Sequence, residues 1–292
     1  MKRAKKKGMI FKVDIDKAYD SLSWDFLGSI LDQMNFPLKW RSWISVILNS
    51  GRASVLVNGS PTHEFDCSRG LRQGDPLSPF LFILAMEALS CMVKKASSFG
   101  LFHGIRRSPN GRPLTHFLYA DDVVLLGDWS KMNALNLIRI LRCFYLVSGL
   151  KINLAKCSIF GVGVGSDEVG EMANVFRCKA GRIPFKHLGL QIGANMNLLK
   201  SWKPVLQTFQ NRLSIWKAKT LSVRGRVTLI KSVVNALPTY YFTLYKAPES
   251  VINALDRIRR VFFWGGSEEK AKMNWVAWQG AVWDWGHCET QI

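Results

Sequence analysis

The chain has 292 residues, of which 48% are hydrophobic, so it is long enough to bury one large core or two modest ones. This composition excludes a disordered chain and an integral membrane protein, because the longest apolar run, residues 80–93, is interrupted by Glu87 and is too short for a bilayer. Forty Lys and Arg residues against 21 Asp and Glu residues give a net charge of +19, which favours nucleic acid as a partner over a merely basic soluble surface or a membrane-surface protein.

The cysteines and the N-terminus indicate the compartment. Six cysteines are scattered without a Cys-x-x-Cys pair, which predicts reduced thiols inside the cell rather than a disulfide framework or a zinc finger. Residues 2–7 carry five positive charges and no long apolar region follows them, so we expect no cleavable signal. This basic end could be a nuclear address, a phosphate-binding arm or a solvated terminus, and we expect the nucleus or the cytoplasm.

Apolar periodicity predicts a mixture of helices and strands along the chain. Helical spacing predicts helices over residues 23–34, 38–49, 80–98, 135–146, 167–177, 202–216 and 251–262. Strand patterns occur over residues 11–13, 53–57, 62–66, 117–127, 158–164 and 185–192, and Asn58-Gly59 is typical of a tight hairpin turn. Residues 100–114 are rich in Arg, Gly and Pro and predict a mobile linker.

The first predicted strand ends at Asp14, and a loop rich in hydrogen-bond donors follows further along the chain. In residues 68–79 the glycines and prolines make the loop tight and let backbone amides approach a ligand. Arg69, Arg72 and Gln73 offer donors that suit a phosphate or the edge of a sugar. A well-formed entry to the next helix would explain Pro and Gly but not the clustered donors.

Asp121 and Asp122 lie where the chain must reverse between two short strands. A solvated turn needs one acidic residue at most, and two adjacent ionised carboxylates repel unless a cation neutralises them. Alone, such a pair is most often a polar turn. If the strand that ends at Asp14 lies beside this hairpin, three carboxylates converge, and they can bridge two divalent ions that clamp an in-line phosphoryl displacement.

Residues 200–260 contain twelve Lys and Arg residues but only two acidic residues, Glu249 and Asp256. Such a helical region can grip a nucleic-acid backbone without reading its sequence. Its aromatic residues fall on the apolar stripe and are therefore predicted to be core.

Five segments in this order resemble the palm of a reverse transcriptase and are closest to plant LINE-type, non-LTR retrotransposon elements. They are DIDKAYD at 14–20, RQGDPLSP at 72–79, YADD at 119–122, SGLKINLAK at 148–156 and HLGL at 187–190. The resemblance covers residues 5–275 and implies an α+β fold: an antiparallel sheet backed by helices, followed by a helical thumb. It implies a palm over residues 1–195, a thumb over 196–265 and a truncated tail over 266–292.

The resemblance also implies roles for individual residues. Asp14, Asp121 and Asp122 match the catalytic aspartates that bind two Mg²⁺ or Mn²⁺ ions. Five residues match nucleotide or template contacts, namely Tyr19, Arg72, Gln73, Gly74 and Lys156. Tyr19 closes the sugar pocket against a 2′-hydroxyl, and Lys156 is placed to neutralise or protonate the pyrophosphate. Leu188 and Gly189 match the primer-grip turn. The implied partners are an RNA template, a DNA primer and dNTPs, and no membrane is expected.

The family places a fingers region upstream of the first aspartate, whereas this chain begins about a dozen residues before it. We therefore expect a fragment that lacks most of the fingers. The favoured function is RNA-directed DNA polymerisation. The alternatives are a catalytically inactive retroelement remnant that only binds nucleic acid, and a nucleotidyl cyclase, which would need neither the basic helices nor the RQGDPLSP loop.

Overall fold

The chain folds as two compact units, Met1–Ile183 and Pro184–Ile292. The computed structural model describes residues 7–106, 108, 111–213, 220–234 and 241–264. The predicted tail over residues 266–292 lies outside the described residues, and the predicted division into palm and thumb at residue 195 stays a prediction.

A five-stranded sheet forms the centre of the first unit, with the strand order β6-β7-β1-β8-β9. Its neighbouring strands pair antiparallel except β8 and β9, which are parallel at one edge. The strands of this sheet are β1 (Gly8–Val13), β6 (His116–Tyr119), β7 (Asp122–Asp128), β8 (Ser158–Val162) and β9 (Lys179–Ala180). A sheet of this kind, covered by helices, confirms the predicted fold class.

Six helices lie in the described part of this unit, and the core lies between them and one face of the sheet. The helices are α1 (Ala18–Ser21), α2 (Trp24–Gln33), α3 (Leu38–Asn49), α4 (Ser78–Ser98), α5 (Lys131–Ser148) and α6 (Ser166–Phe176). Phe11 of β1, Phe82 of α4 and Phe144 of α5 are fully buried in this core. As predicted, Ser23 caps the N-terminus of α2, where its hydroxyl accepts a hydrogen bond from the backbone N–H of Phe26, and Gly149 ends α5 at a φ of 77°.

Two short antiparallel pairs carry the predicted hairpin between α3 and α4. β2 (Arg52–Ala53) pairs with β5 (Phe65–Asp66), and β3 (Leu56–Val57) pairs with β4 (Ser60–Pro61). The turn between β3 and β4 is Asn58-Gly59, with φ values of 50° and 85°. The predicted turn is therefore confirmed.

The prediction of a mobile linker over residues 100–114 is wrong for the described part of that segment. Phe102 is fully buried in the core, and the backbones of Ile105 and Leu114 exchange two hydrogen bonds of 2.9 and 2.8 Å. Because the segment is rich in Arg, Gly and Pro, its sequence did not indicate the burial of Phe102 or the backbone pairing of Ile105 with Leu114.

The second unit contains a hairpin followed by helices. β10 (Phe185–His187) and β11 (Leu190–Ile192) pair antiparallel, so the prediction of one strand over residues 185–192 is wrong. The helices are α7 (Leu199–Arg212), α8 (Val223–Leu229), a π-helical turn (Ile230–Val234) and α9 (Glu249–Trp264). Trp202, Phe209 and Val251 are fully buried in its separate core, which confirms that the apolar stripe is core. Within the described residues, no helix is long and apolar enough to cross a bilayer.

Candidate active site

The hairpin of β6 and β7 carries the predicted acidic pair at its tip. Tyr119 pairs with Asp122, which leaves Ala120 and Asp121 as the two turn residues. Ala120 has a φ of 51°, in the left-handed region that residues with a Cβ rarely adopt. Asp121 is exposed, whereas Asp122 begins β7 with its side chain 38% exposed.

The register of β1 against β7 brings Asp14 beside this tip. Val13 pairs with Val123, so Asp14 and Asp122 occupy the next opposing positions of the two strands. Opposite residues of an antiparallel pair lie on the same face, and neighbours along a strand alternate. Val13 and Val123 are buried in the helix-covered core, so the carboxylates of Asp14 and Asp122 lie on the other face.

Each of these two carboxylates lies near a lysine. Lys12 Nζ is 4.0 Å from Asp122 Oδ1, and Lys156 Nζ is 3.9 Å from Asp14 Oδ1. All four side chains are at least one-third exposed, so solvent screens both pairs and each contributes little to stability. The lysines reduce the repulsion between carboxylates that share one face of the sheet.

The donor set suits a hard divalent cation, because two half-exposed carboxylates share a face and a third is at the adjacent turn. The side chains as positioned do not yet form a closed coordination shell. Across the part of the chain that the structure describes, no group of three His, Cys, Asp or Glu side chains is close enough to hold a metal ion. The metal-binding assignment of Asp14, Asp121 and Asp122 therefore stays a prediction.

The backbone of Asp14 is held by the segment that leads into β8. The Asp14 N–H donates to Cys157 Sγ at 3.3 Å, and the Asp14 carbonyl accepts from the Asn153 N–H at 2.9 Å. Cys157 is fully buried, and burial raises the pKa of its thiol to about 11. This thiol therefore stays protonated and neutral at physiological pH.

The predicted donor loop packs against α1 through its backbone. A Cβ at Gly70 would lie 2.7 Å from the Asp20 carbonyl oxygen, so this position requires glycine. Leu71 N–H donates to the Tyr19 carbonyl at 2.6 Å, and Gln73 Nε2 donates to Asp20 Oδ1 at 3.2 Å. The loop is thereby fixed beside Tyr19.

The side chains around this loop leave room for a ligand. Arg72, Gln73 and Gly74 are exposed, and Gly74 has a φ of 91°. Arg72 and Gln73 line a cavity of about 530 Å³ that lies between the loop and α3. The Tyr19 ring is half-buried and stacks on Phe82, with centroids 5.0 Å apart. Packing on α4 therefore limits the positions that this ring can adopt.

Leu188 and Gly189 form the two-residue turn between β10 and β11 in the second unit. Their φ values are 48° and 81°. The Tyr241 hydroxyl donates to the Gly189 carbonyl at 2.6 Å, which ties the turn to the helical part of the same unit. The assignment of this turn as a primer grip stays a prediction.

The structure thus brings together Asp14, Asp122 and Lys156, with Asp121 at the neighbouring turn, and fixes Tyr19 beside the loop that contains Gln73. Two residues at this site, Lys12 and Cys157, were not predicted from the sequence. Lys12 had a detectable signal, because it alternates with Asp14 on the same face of a strand. Cys157 had none, because its contact depends on where β8 stops pairing.

Similar proteins are found among protein families, transposable elements and solved structures. The profile described as reverse transcriptase (RNA-dependent DNA polymerase) matches residues 1–192. The chain is similar to the transposon TX1 uncharacterized 149 kDa protein of Xenopus laevis, with 29% identity over 265 residues that cover 87% of this chain and 19% of that protein. It is also similar to the retrovirus-related Pol polyprotein from the type-2 retrotransposable element R2DM of Drosophila melanogaster, with 31% identity over 154 residues.

The R2DM alignment covers 52% of this chain and 14% of the polyprotein, so the chain spans less than a fifth of the length of either relative. Among solved structures, a telomerase from Candida tropicalis in complex with a fragment of telomeric RNA is similar over 88% of this chain and 43% of that chain. Its TM-score is 0.47 at 13% sequence identity.

Proposed function

The chain belongs to the reverse transcriptase (RNA-dependent DNA polymerase) family, of the non-LTR retrotransposon type, and from this premise we propose that it extends a DNA primer on an RNA template with dNTPs. The family resemblance drawn from the sequence is thereby confirmed, whereas its assignment to plant elements stays a prediction. The observation that supports the proposal is the register of β1 against β7, which ends with Val13 opposite Val123, so that Asp14 and Asp122 are the next residues along the two strands.

We propose Asp14, Asp121 and Asp122 as the ligands of two Mg²⁺ or Mn²⁺ ions. Such ions, when bound, supply positive charge that stabilises the attacking and leaving oxygens of the phosphoryl transfer. The carboxylates would hold this charge at the tip of a hairpin whose second arm, β7, is buried in the central sheet, so the protein does not need to reorganise during the reaction. Lys156, within 4 Å of Asp14, is positioned to add a further positive charge for the pyrophosphate.

In this proposal, the donor loop and Tyr19 contact the nucleotide and the template. Arg72 and Gln73 offer exposed donors beside a cavity, and Gly74 permits close approach of the backbone. The Tyr19 ring would exclude a ribose 2′-hydroxyl by its bulk. Leu188 and Gly189 would contact the primer, and the basic residues of the second unit would contact the phosphates of the duplex.

Primer extension on an RNA template tests this function, with purified protein, a DNA primer, dNTPs and Mg²⁺ or Mn²⁺. We expect the parent protein to extend the primer, and Asp121→Asn or Asp122→Asn to lower the rate at least about a hundredfold, because each removes a carboxylate that would hold the positively charged metal ions at the reacting phosphate. Asp128→Asn is the matched control, since Asp128 is an exposed carboxylate at the opposite end of the same strand.

Three outcomes separate the candidate functions. Extension that is lost in the Asp121 and Asp122 variants but kept in Asp128→Asn supports the polymerase. Salt-sensitive binding of the RNA and primer without any extension supports the inactive remnant instead. Product formed from a single nucleotide without a primer supports a cyclase.

A further inference from the structure

We propose that Cys157 is a positioning residue for Asp14: its buried thiol holds the Asp14 backbone at the point where β8 stops pairing with β1, and thereby fixes the direction of the Asp14 carboxylate. The consequence for metal binding rests on the proposed function. The anchoring itself rests only on the contacts between Cys157 and Asp14.

The need for an anchor follows from the strand register. β8 pairs with β1 from Val162 opposite Gly8 to Ser158 opposite Lys12, and the pairing ends there. Asp14 lies two residues beyond this last pair. The Asp14 N–H is partly buried there and still needs an acceptor, because an unpaired polar group shielded from water lowers the stability of the fold.

The thiol of Cys157 supplies that acceptor. Its Sγ accepts from the Asp14 N–H at 3.3 Å and lies 3.9 Å from the Asp14 carbonyl oxygen, to which the thiol proton is directed. The Asn153 N–H donates to the same carbonyl at 2.9 Å. Both polar backbone groups of Asp14 are therefore held by residues 153–157.

Burial makes this contact durable. Cys157 is fully buried, so water cannot replace the sulfur without opening the core. The preceding residue, Lys156, reaches the Asp14 carboxylate with its Nζ at 3.9 Å. Two consecutive residues thus contact Asp14, one through its backbone and the other through its side chain.

Positioning of this kind matters because a binding carboxylate must be held to within about 0.5 Å and about 10–20° of the productive geometry. Groups that orient a metal ligand without touching the metal typically change metal affinity by about 10- to 100-fold when they are removed. A residue that only fills space in the core would not affect affinity once its volume is restored.

Three variants of the full chain separate these roles. Cys157→Val keeps the volume but removes the hydrogen-bonding sulfur, and Cys157→Ser keeps a group that can accept and donate. Cys178→Val is the matched control, because Cys178 is a nearby half-buried thiol that donates to the Lys179 carbonyl rather than contacting Asp14. The measurements are hydrogen exchange of the Asp14 amide, Mn²⁺ affinity by electron paramagnetic resonance, and primer extension across Mn²⁺ concentrations.

We expect faster exchange at Asp14 and about tenfold weaker Mn²⁺ binding in Cys157→Val. Cys157→Ser is expected to stay within about threefold of the parent affinity, and Cys178→Val to match it. Parental exchange at Asp14 and parental Mn²⁺ affinity in Cys157→Val would overturn the inference.

If Cys157→Val does not fold, Cys157→Ala against Cys157→Ser decides the question, because a space-filling role predicts the same affinity for both and an anchoring role favours Ser. The failure of the proposed function is distinguishable. A parent that binds Mn²⁺ in a Cys157-dependent way but extends no primer removes the polymerase and keeps the anchor. If the parent protein binds no Mn²⁺, the predicted effect on metal affinity is wrong, and hydrogen exchange of the Asp14 amide alone then tests the anchoring.

Discussion

Two hairpins of the first unit each reverse the chain in two residues, and they reach this geometry by different means. The hairpin of β3 and β4 uses Asn58 and Gly59 at positive φ, the residue types that such turns favour. The hairpin of β6 and β7 instead places Ala120 at a φ of 51°. A Cβ in this region costs about 1–2 kcal/mol, so the second turn is strained where the first is relaxed.

The arms of the two hairpins explain why the strained turn persists. Leu56 and Val57 in the first hairpin are exposed, whereas Val123 and Leu125 in the second are fully buried. Burial of β7 in the central sheet fixes the second hairpin, so its tip can carry residues chosen for chemistry rather than for turn formation. The first hairpin has little burial and depends on its turn residues.

The largest expected effect is on the buried arm. Leu125→Ala should lower the free energy of unfolding by about 2–5 kcal/mol, because it leaves a cavity between the sheet and the helices. Leu56→Ala, on the exposed arm of the first hairpin, should change it by no more than about 0.5 kcal/mol. Urea unfolding followed by circular dichroism measures both, and similar costs at the two positions would contradict the comparison.

Substitutions in the turns should have opposite signs. Ala120→Gly removes the left-handed strain but makes the unfolded chain more flexible, so we expect a net gain of about 0.5–1 kcal/mol in the free energy of unfolding. Gly59→Ala should lose a similar amount. No other group lies within 4 Å of a Cβ built at Gly59, so its cost is conformational only.

Thermal melts of both turn variants, with the parent as reference, test this prediction. Destabilisation by Ala120→Gly would mean that the methyl group of Ala120 makes a contact worth more than the strain it causes. Ala120 is half-buried, so its methyl group can make such a contact. In that case, burial would extend from the arms into the turn itself.

The same contrast explains how much of the fold could be predicted from the sequence. Alternating apolar residues predicted the strand before Asp14, apolar residues on both sides of the acidic pair predicted the arms of the second hairpin, and Asn58-Gly59 predicted the first turn. The apolar pattern alone predicted one strand over residues 185–192, because leucine is not a typical turn residue, whereas the family resemblance implied the turn at Leu188-Gly189. Phe102 was missed because one buried aromatic in a stretch rich in Arg, Gly and Pro has no periodicity.

The candidate site was predictable as a set of residues but not as a set of contacts. Asp14, Asp121 and Asp122 stand out because carboxylates at strand ends have few structural uses. The contact of Cys157 with Asp14 and the proximity of Lys12 to Asp122 depend on the register of three strands. The register of strands that are distant in sequence depends on which faces become buried in the core, so it could not be predicted from these segments alone.

The smallest expected effect is on the pH dependence of stability, and it concerns β6, the first arm of the second hairpin. His116 of β6 lies between Ser90 and Thr115, with its ring nitrogens 3.0 and 2.8 Å from their hydroxyl oxygens. Burial, with a smaller contribution from Lys94, lowers the pKa of His116 below its ordinary value of 6.5. The unfolded chain therefore takes up this proton at a higher pH than the folded chain does.

Because the pKa of His116 is lower in the folded chain, the free energy of unfolding falls as the pH falls. The contribution of His116 to stability is fully present above about pH 6.5 and is lost as the pH falls through the lower, folded pKa. His116→Gln should therefore flatten the decline of the unfolding free energy between about pH 7 and pH 5. His63→Gln is the matched control, because His63 lies between β4 and β5 and is exposed. If both variants decline as steeply as the parent, the imidazole of His116 is not shielded from solvent, and the arm of the second hairpin is less firmly buried than its neighbours Val123 and Leu125 imply.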